Sequence, residues 1–184
     1  MGRRHKVFIS YYHGDEKKRT KFERMCLEND ILVNRSIQPK DIPPTESVEQ
    51  TLRRIREDFI SDSTVTIVLI GAHTWRRKYV DWEIYASLRH TNANPRNGLI
   101  GIILPSHPDY NKPKVNYKTI PPRLADNLEK AHHYASLHHW TGDMKKVQEW
   151  IHEAFKNRKD PKHPPKNSRE RFSKNRSDAQ KEWQ

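Results

Sequence analysis

Three stretches of this chain crowd chemically capable side chains into a few positions. Ser10-Tyr11-Tyr12-His13-Gly14-Asp15 supplies hydroxyls, two aromatic faces and an imidazole. Gly71-Ala72-His73-Thr74-Trp75-Arg76-Arg77 adds an indole and two guanidinium groups, and the Pro-bearing stretch 35–44 lies between these two. Aromatic faces of this kind can stack a flat heterocycle such as adenine or nicotinamide, and guanidinium groups can hold phosphates through paired hydrogen bonds. Each of these residues taken singly is also an ordinary polar loop residue. Glu83 is the carboxylate that stands out. It follows Tyr79 by one helical turn, so the two share a face. That face borders the apolar line Val80, Ile84 and Leu88. Glu83 is thereby expected where a helix meets a crevice; the plainer alternative is a solvated glutamate paired with Lys78 or Arg89.

The elements around these stretches follow from apolar periodicity. Residues 6–11 (KVFISY), 31–34, 64–71 (TVTIVLIG) and 99–104 (LIGIIL) read as strands, and residues 134–140 (YASLHHW) as a fifth, more polar one. The near-continuous apolarity of the third and fourth runs is that of strands covered on both faces, as in a parallel sheet. Helical spacing occupies the intervals: 15–28 with Phe22, Met25 and Cys26; 46–60 with Val48, Leu52, Ile55 and Phe59; 77–90; 122–131 with Leu124 and Leu128; and 142–156 with Met144, Val147, Ile151 and Phe155. Strand–helix alternation predicts an α/β fold, an open parallel sheet of about five strands in flavodoxin-like order, flanked by helices. In such sheets ligands bind beyond the carboxyl ends of the strands, where strand order reverses. The three chemical stretches all follow strands, which places them at that edge.

The chain's 184 residues suit one domain. It carries 35 Lys and Arg against 23 Asp and Glu, a net charge of +12. Hydrophobic residues make up 33%, below the roughly 45–50% of ordinary globular chains. The deficit concentrates at the end. From residue 156 to 184, ten Lys or Arg stand against four Asp or Glu, a surplus of six out of the chain's twelve, with Phe172, Ala179 and Trp183 as the hydrophobic residues. The reading is a domain over 1–157 and a basic, disordered tail over 158–184. A lone cysteine, Cys26, excludes an internal disulfide framework and is expected as a small core residue. No apolar run approaches a membrane span, and the opening residues do not read as a signal peptide, so a cytoplasmic location is expected.

Other chemistries lose support. Neither GxGxxG nor GxxxxGK[ST] occurs among the six scattered glycines. The first strand ends in Ser-Tyr-Tyr-His, not in the acidic cluster of a phospho-receiver. His132-His133 and His138-His139 are the densest group among eleven histidines, yet neighbours on a strand point to opposite faces and no carboxylate stands at ligand spacing, so no metal site is assigned. The Pro-rich loop 105–122 has the length of a lid or binding loop.

Taken together, VFISYYHGD at the first strand, TVTIVLIGAHTWRRKYVDWEI across the third strand and its helix, and NGLIGIILP at the fourth resemble a TIR-like domain of the bacterial Thoeris anti-phage defence type (ThsB-like). The resemblance runs from about residue 6 to 140. TIR domains often carry Trp-Cys-x-x-Glu on the helix; here the spacing reads Tyr79-Val80-Asp81-Trp82-Glu83, so the Glu matches and Tyr79 replaces the Trp. The resemblance implies an NAD+ glycohydrolase or ADP-ribosyl cyclase with no cofactor beyond NAD as substrate. It implies Glu83 as catalytic residue, and an ADP-ribose-derived signal that activates a partner effector, with a phage-derived trigger and homo-oligomerisation as further implied partners. Ser10 and Tyr11 would then lie at the ribose or nicotinamide edge. Tyr12, His13, Trp75 and Tyr79 would wall the pocket, and Arg76 or Arg77 would meet the pyrophosphate. Two other readings stand beside this one. One is a non-catalytic TIR-like protein–protein interaction module; the other, ranked last, is a nucleic-acid binder driven by charge.

Overall fold

The computed structural model of the chain describes residues 5–34, 41–92 and 94–184. Strands β1 (Lys6–Tyr11), β2 (Leu32–Asn34), β3 (Val65–Ile70), β4 (Gly98–Ile103) and β5 (Ala135–His139) form one sheet in the order β2-β1-β3-β4-β5. Every neighbouring pair is parallel. This is the flavodoxin-like order, with strand order reversing between β1 and β3. β3 and β4 are buried along their whole length, which is why they read as unbroken apolar runs. The edge strands β2 and β5 are partly exposed and correspondingly more polar.

Helices α1 (Glu16–Glu28) and α5 (Met144–Asn157) cover one face, packing Phe22, Cys26, Val147 and Ile151 on Val7, Ile9, Ile67 and Ile102. Helices α2 (Val48–Arg54), α3 (Lys78–Leu88) and α4 (Pro122–Leu128) cover the other, over Phe8, Val68, Ile70, Leu99 and Ile103. A Cβ at Gly98 would fall 2.2 Å from the Ala154 carbonyl oxygen, so the absence of a side chain there lets α5 lie against β4. The helix expected over 46–60 begins at a Ser47–Gln50 capping box and widens into a π-type turn over Ile55–Ile60. The part of the 35–44 loop at 35–40 lies outside the described residues. The loop 105–122 is tied down by Asn116 N–H donating to Asp109 at 2.9 Å and by the Trp183 indole N–H, which reaches the Tyr117 and Ile120 carbonyls.

The expected disordered tail needs correction. Beyond residue 160 the segment has no helix or strand, as its composition implies, yet it runs across α3 and α4 with defined partners. Asn127 exchanges two hydrogen bonds with Lys166, donating to its carbonyl at 2.8 Å and accepting its N–H at 2.9 Å. Phe172 is buried, and its N–H and C=O both bond to α3. A segment without hydrophobic periodicity can be ordered when its backbone groups find buried polar partners, a signal periodicity does not carry.

Candidate functional site

Glu83 sits in the second turn of α3, over the carboxyl end of β1. Side chains alternate along a strand, so Phe8 and Ser10 both face α3, and Ser10 is fully buried. The Ser10 hydroxyl donates to Glu83 Oε2 at 2.5 Å. Glu83 is 4% exposed, and no cation pairs with it among the described residues. Neither Lys78 nor Arg89 therefore neutralises it. Burial pushes its pKa up to about 8, while the Ser10 hydrogen bond pulls the other way. A buried, unpaired carboxyl group next to a strand end is costly to keep, and such groups concentrate where a protein does chemistry.

The loops that follow β1 and β3 are aromatic and cationic. Tyr12 stands against His13 with ring centres 4.5 Å apart and edge-on to His73 at 6.1 Å. The Arg77 guanidinium lies 4.1 Å above the Tyr12 ring. Tyr12, His13, His73 and Arg77 thus converge from the ends of β1 and β3. Beneath them, a Cβ at Gly71 would fall 2.2 Å from the Asp15 carboxylate, so glycine there lets the chain leave β3 against that side chain. Burial raises the Asp15 pKa, opposed by its bond from Ser106.

Other candidates are not gathered around Glu83. Tyr11 points to the opposite face of the sheet, against the core with Phe22, and its hydroxyl donates to Glu16. Trp75 is fully buried as a packing residue, with the Arg76 guanidinium 5.0 Å from its ring. Arg76 is itself buried and donates to the Asp178 carbonyl at 2.9 Å and carboxylate at 3.2 Å. Tyr79 packs edge-on against Trp82, 5.7 Å between centres, on the side of α3 that meets α2. Among the described residues no group of three or more His, Cys, Asp or Glu could hold a metal ion. His138 instead stacks on Trp150 at 3.9 Å, and burial lowers its pKa to about 4. Cys26 is buried, with its thiol pushed up to about 12, hence inert.

Sequence reasoning missed the polar network that holds α3. Asp81, two residues before Glu83, accepts from the fully buried Arg123 of α4 at 3.0 Å and from the Phe172 N–H at 2.9 Å. The Trp82 indole N–H donates to the Phe172 carbonyl at 2.8 Å. Arg123 also donates to the Asn167 side chain at 3.0 Å. The one sequence hint was three polar residues, Arg123, Asp126 and Asn127, inside a short helix that carries Leu124 and Leu128.

A family profile described as "Thoeris protein ThsB, TIR-like domain" matches residues 8–109, which spans β1 to β4 and includes Glu83. Among solved structures, the chain is similar to "Structure of the activated Roq1 resistosome directly recognizing the pathogen effector XopQ (TIR domains)". That similarity has 14% identity over 84% of this chain and 83% of that chain, with a TM-score of 0.37. No curated protein matches. No helix among the described residues is long and apolar enough to cross a membrane. With the profile covering more than half of the chain and the 2-1-3-4-5 parallel sheet beneath it, this protein belongs to the Thoeris ThsB TIR-like family.

Proposed function

We propose that this chain is an NAD-consuming enzyme of anti-phage defence, cleaving the bond between nicotinamide and ribose with Glu83 as the catalytic carboxylate. The ADP-ribosyl carbon then bonds to a nucleophile, either within the same molecule to give a cyclic isomer or on a second molecule to give a conjugate, and the product is a small signal that activates a separate effector. The observation that carries this reading is the buried Glu83 carboxyl at the carboxyl end of β1, bonded to Ser10 and paired with no cation among the described residues.

The chemistry needs little else. Nicotinamide departs as a neutral base from a cationic ring, so no general acid is required. Positive charge develops on the ribose as the bond breaks, in the manner of an oxocarbenium ion. A single carboxylate beside that ring stabilises the charge electrostatically, most strongly where water is excluded. Ser10 orients the carboxyl group and favours its ionised form. Tyr12 and His13 offer the flat faces a nicotinamide or adenine ring stacks on. The test is nicotinamide release from NAD by the purified chain, supplied with extract from phage-infected cells as activator. Wild type should release nicotinamide and Glu83→Gln should release none while keeping its circular dichroism spectrum. Equal release by both proteins would remove Glu83 from the reaction.

A further inference from the structure

We propose that Arg76 and Arg77 form a binding site for a phosphate-class anion, and that Asp178 of the C-terminal segment fills this site in cis until such an anion displaces it. The proposal stands on the geometry of three residues that are distant in sequence. Asp178 Oδ1 receives Arg76 Nη1 at 3.2 Å and Arg77 Nη2 at 3.3 Å, so one carboxylate oxygen serves two guanidinium groups through long contacts. The Asp178 side chain is 76% exposed, whereas those of Arg76 and Arg77 are 8% and 17% exposed. The cations are built in and the anion is not. The Nε atoms of both arginines are buried without a hydrogen-bond partner. Two guanidinium groups offer up to ten N–H donors, and a carboxylate oxygen in this position leaves several unused. A phosphate or diphosphate, with more oxygens and more charge, satisfies more of them.

The neighbourhood favours the same ligand chemistry. Arg77 lies over Tyr12, the residue that follows β1, the strand whose Ser10 contacts Glu83. The segment that carries Asp178 is clipped on by two more bonds to this same turn. Asn175 accepts from the Lys78 N–H at 2.8 Å, occupying a donor at the start of α3, and the Arg176 N–H donates to the Arg76 carbonyl at 2.9 Å. Residues 169–177 and 180 curl around a cavity of about 710 Å³. Lys174 and Arg176, which line it, have no carboxylate within ion-pair distance among the described residues. The segment therefore presents an acidic side chain to the arginines while keeping a basic surface beside them.

Only the identity of the anion rests on the NAD reading; the site itself does not. Binding of inorganic pyrophosphate to the full chain is measured by calorimetry at low ionic strength, for wild type, Asp178→Asn and Arg77→Gln. Loss of an exposed competing ion pair should tighten binding to Asp178→Asn about threefold to fivefold. Arg77→Gln should weaken it by at least as much. Hydrogen exchange gives a second readout that does not depend on the variants. Saturating pyrophosphate should speed exchange at the Lys78 and Arg176 amides of wild type, because the strap leaves. Equal affinity of wild type and Asp178→Asn, or unchanged protection at both amides, would overturn the proposal. ADP-ribose offered to Glu83→Gln separates the sources. Tighter binding than pyrophosphate, with the same dependence on Asp178, assigns the site to a dinucleotide diphosphate; equal binding assigns it to free phosphate compounds. Failure of wild type to release nicotinamide would end the NAD reading and leave these binding results standing.

Discussion

A carboxyl group sealed from water and given one hydroxyl for company favours its neutral form, and this sets what Glu83 can do. Its pKa near 8 lies above the ordinary 4.5, so the folded chain keeps a proton that the unfolded chain releases. The folded state therefore loses stability as pH rises from about 4.5 to 8, because more protons are bound folded than unfolded in that window. Glu83→Gln keeps the shape and the Ser10 bond but carries no ionisable proton. Its thermal midpoint should match wild type near pH 4 and exceed it at pH 8, by an amount on the order of a few kcal/mol in unfolding free energy. On the proposed NAD-cleaving reading, the same variant should be catalytically silent, because the ionised form is the one that would stabilise the ribosyl cation. Wild-type nicotinamide release should accordingly rise with pH toward 8. Ser10→Ala removes the one contact that favours ionisation, so the midpoint of that pH–rate profile should move upward. An unmoved midpoint would show that Ser10 does not tune Glu83.

Helix α3 carries the site, and its position depends on contacts that lie outside the site. Asp81 and Arg123 form an ion pair buried on both sides, bridging α3 to α4. Removing one partner of such a pair strands the other, at a cost of about 3–5 kcal/mol. Arg123→Leu should therefore lower the unfolding free energy obtained from urea titration by that much, even though Asp81 retains the Phe172 N–H. Asp81→Asn, which keeps the shape, should cost less when measured the same way. On the opposite face, Gly98→Ala would drive a methyl group into the Ala154 carbonyl, a backbone atom that cannot swing aside. Displacement of α5 from β4 should follow, visible as loss of protection at the Val147 and Ile151 amides. These two contacts differ in legibility. The apolar lines of α3 and α5 are periodic and could be read. The Asp81–Arg123 pair joins positions 42 apart through a tertiary contact that no local pattern encodes.

At the scale of the molecule, the sheet was legible because β1, β3 and β4 are apolar runs of strand length and each crossover carries its own helical stripe. The site was legible in part, because strand ends and one helix position fall out of the order of elements. Ser10 and Glu83 meet, whereas Tyr11 packs on the opposite face of the sheet and Trp75 is buried as a packing residue, because alternation along β1 and tertiary packing decide side-chain direction. The segment after α5 was the least legible, for its order rests on hydrogen bonds from backbone groups to buried polar side chains. That difference can be measured. Were residues 172–184 a detached tail, deleting them would leave stability unchanged. Here deletion exposes the buried Phe172 contact, worth about 1.5–3 kcal/mol for a large apolar side chain. It also strips Asp81 of one donor and the Trp82 indole of its acceptor, each costing about 1 kcal/mol or more once left buried and unsatisfied. The truncated chain should unfold at lower urea, with an unfolding free energy reduced by about 3–5 kcal/mol in total. An unchanged midpoint would return residues 172–184 to the status of a loose tail.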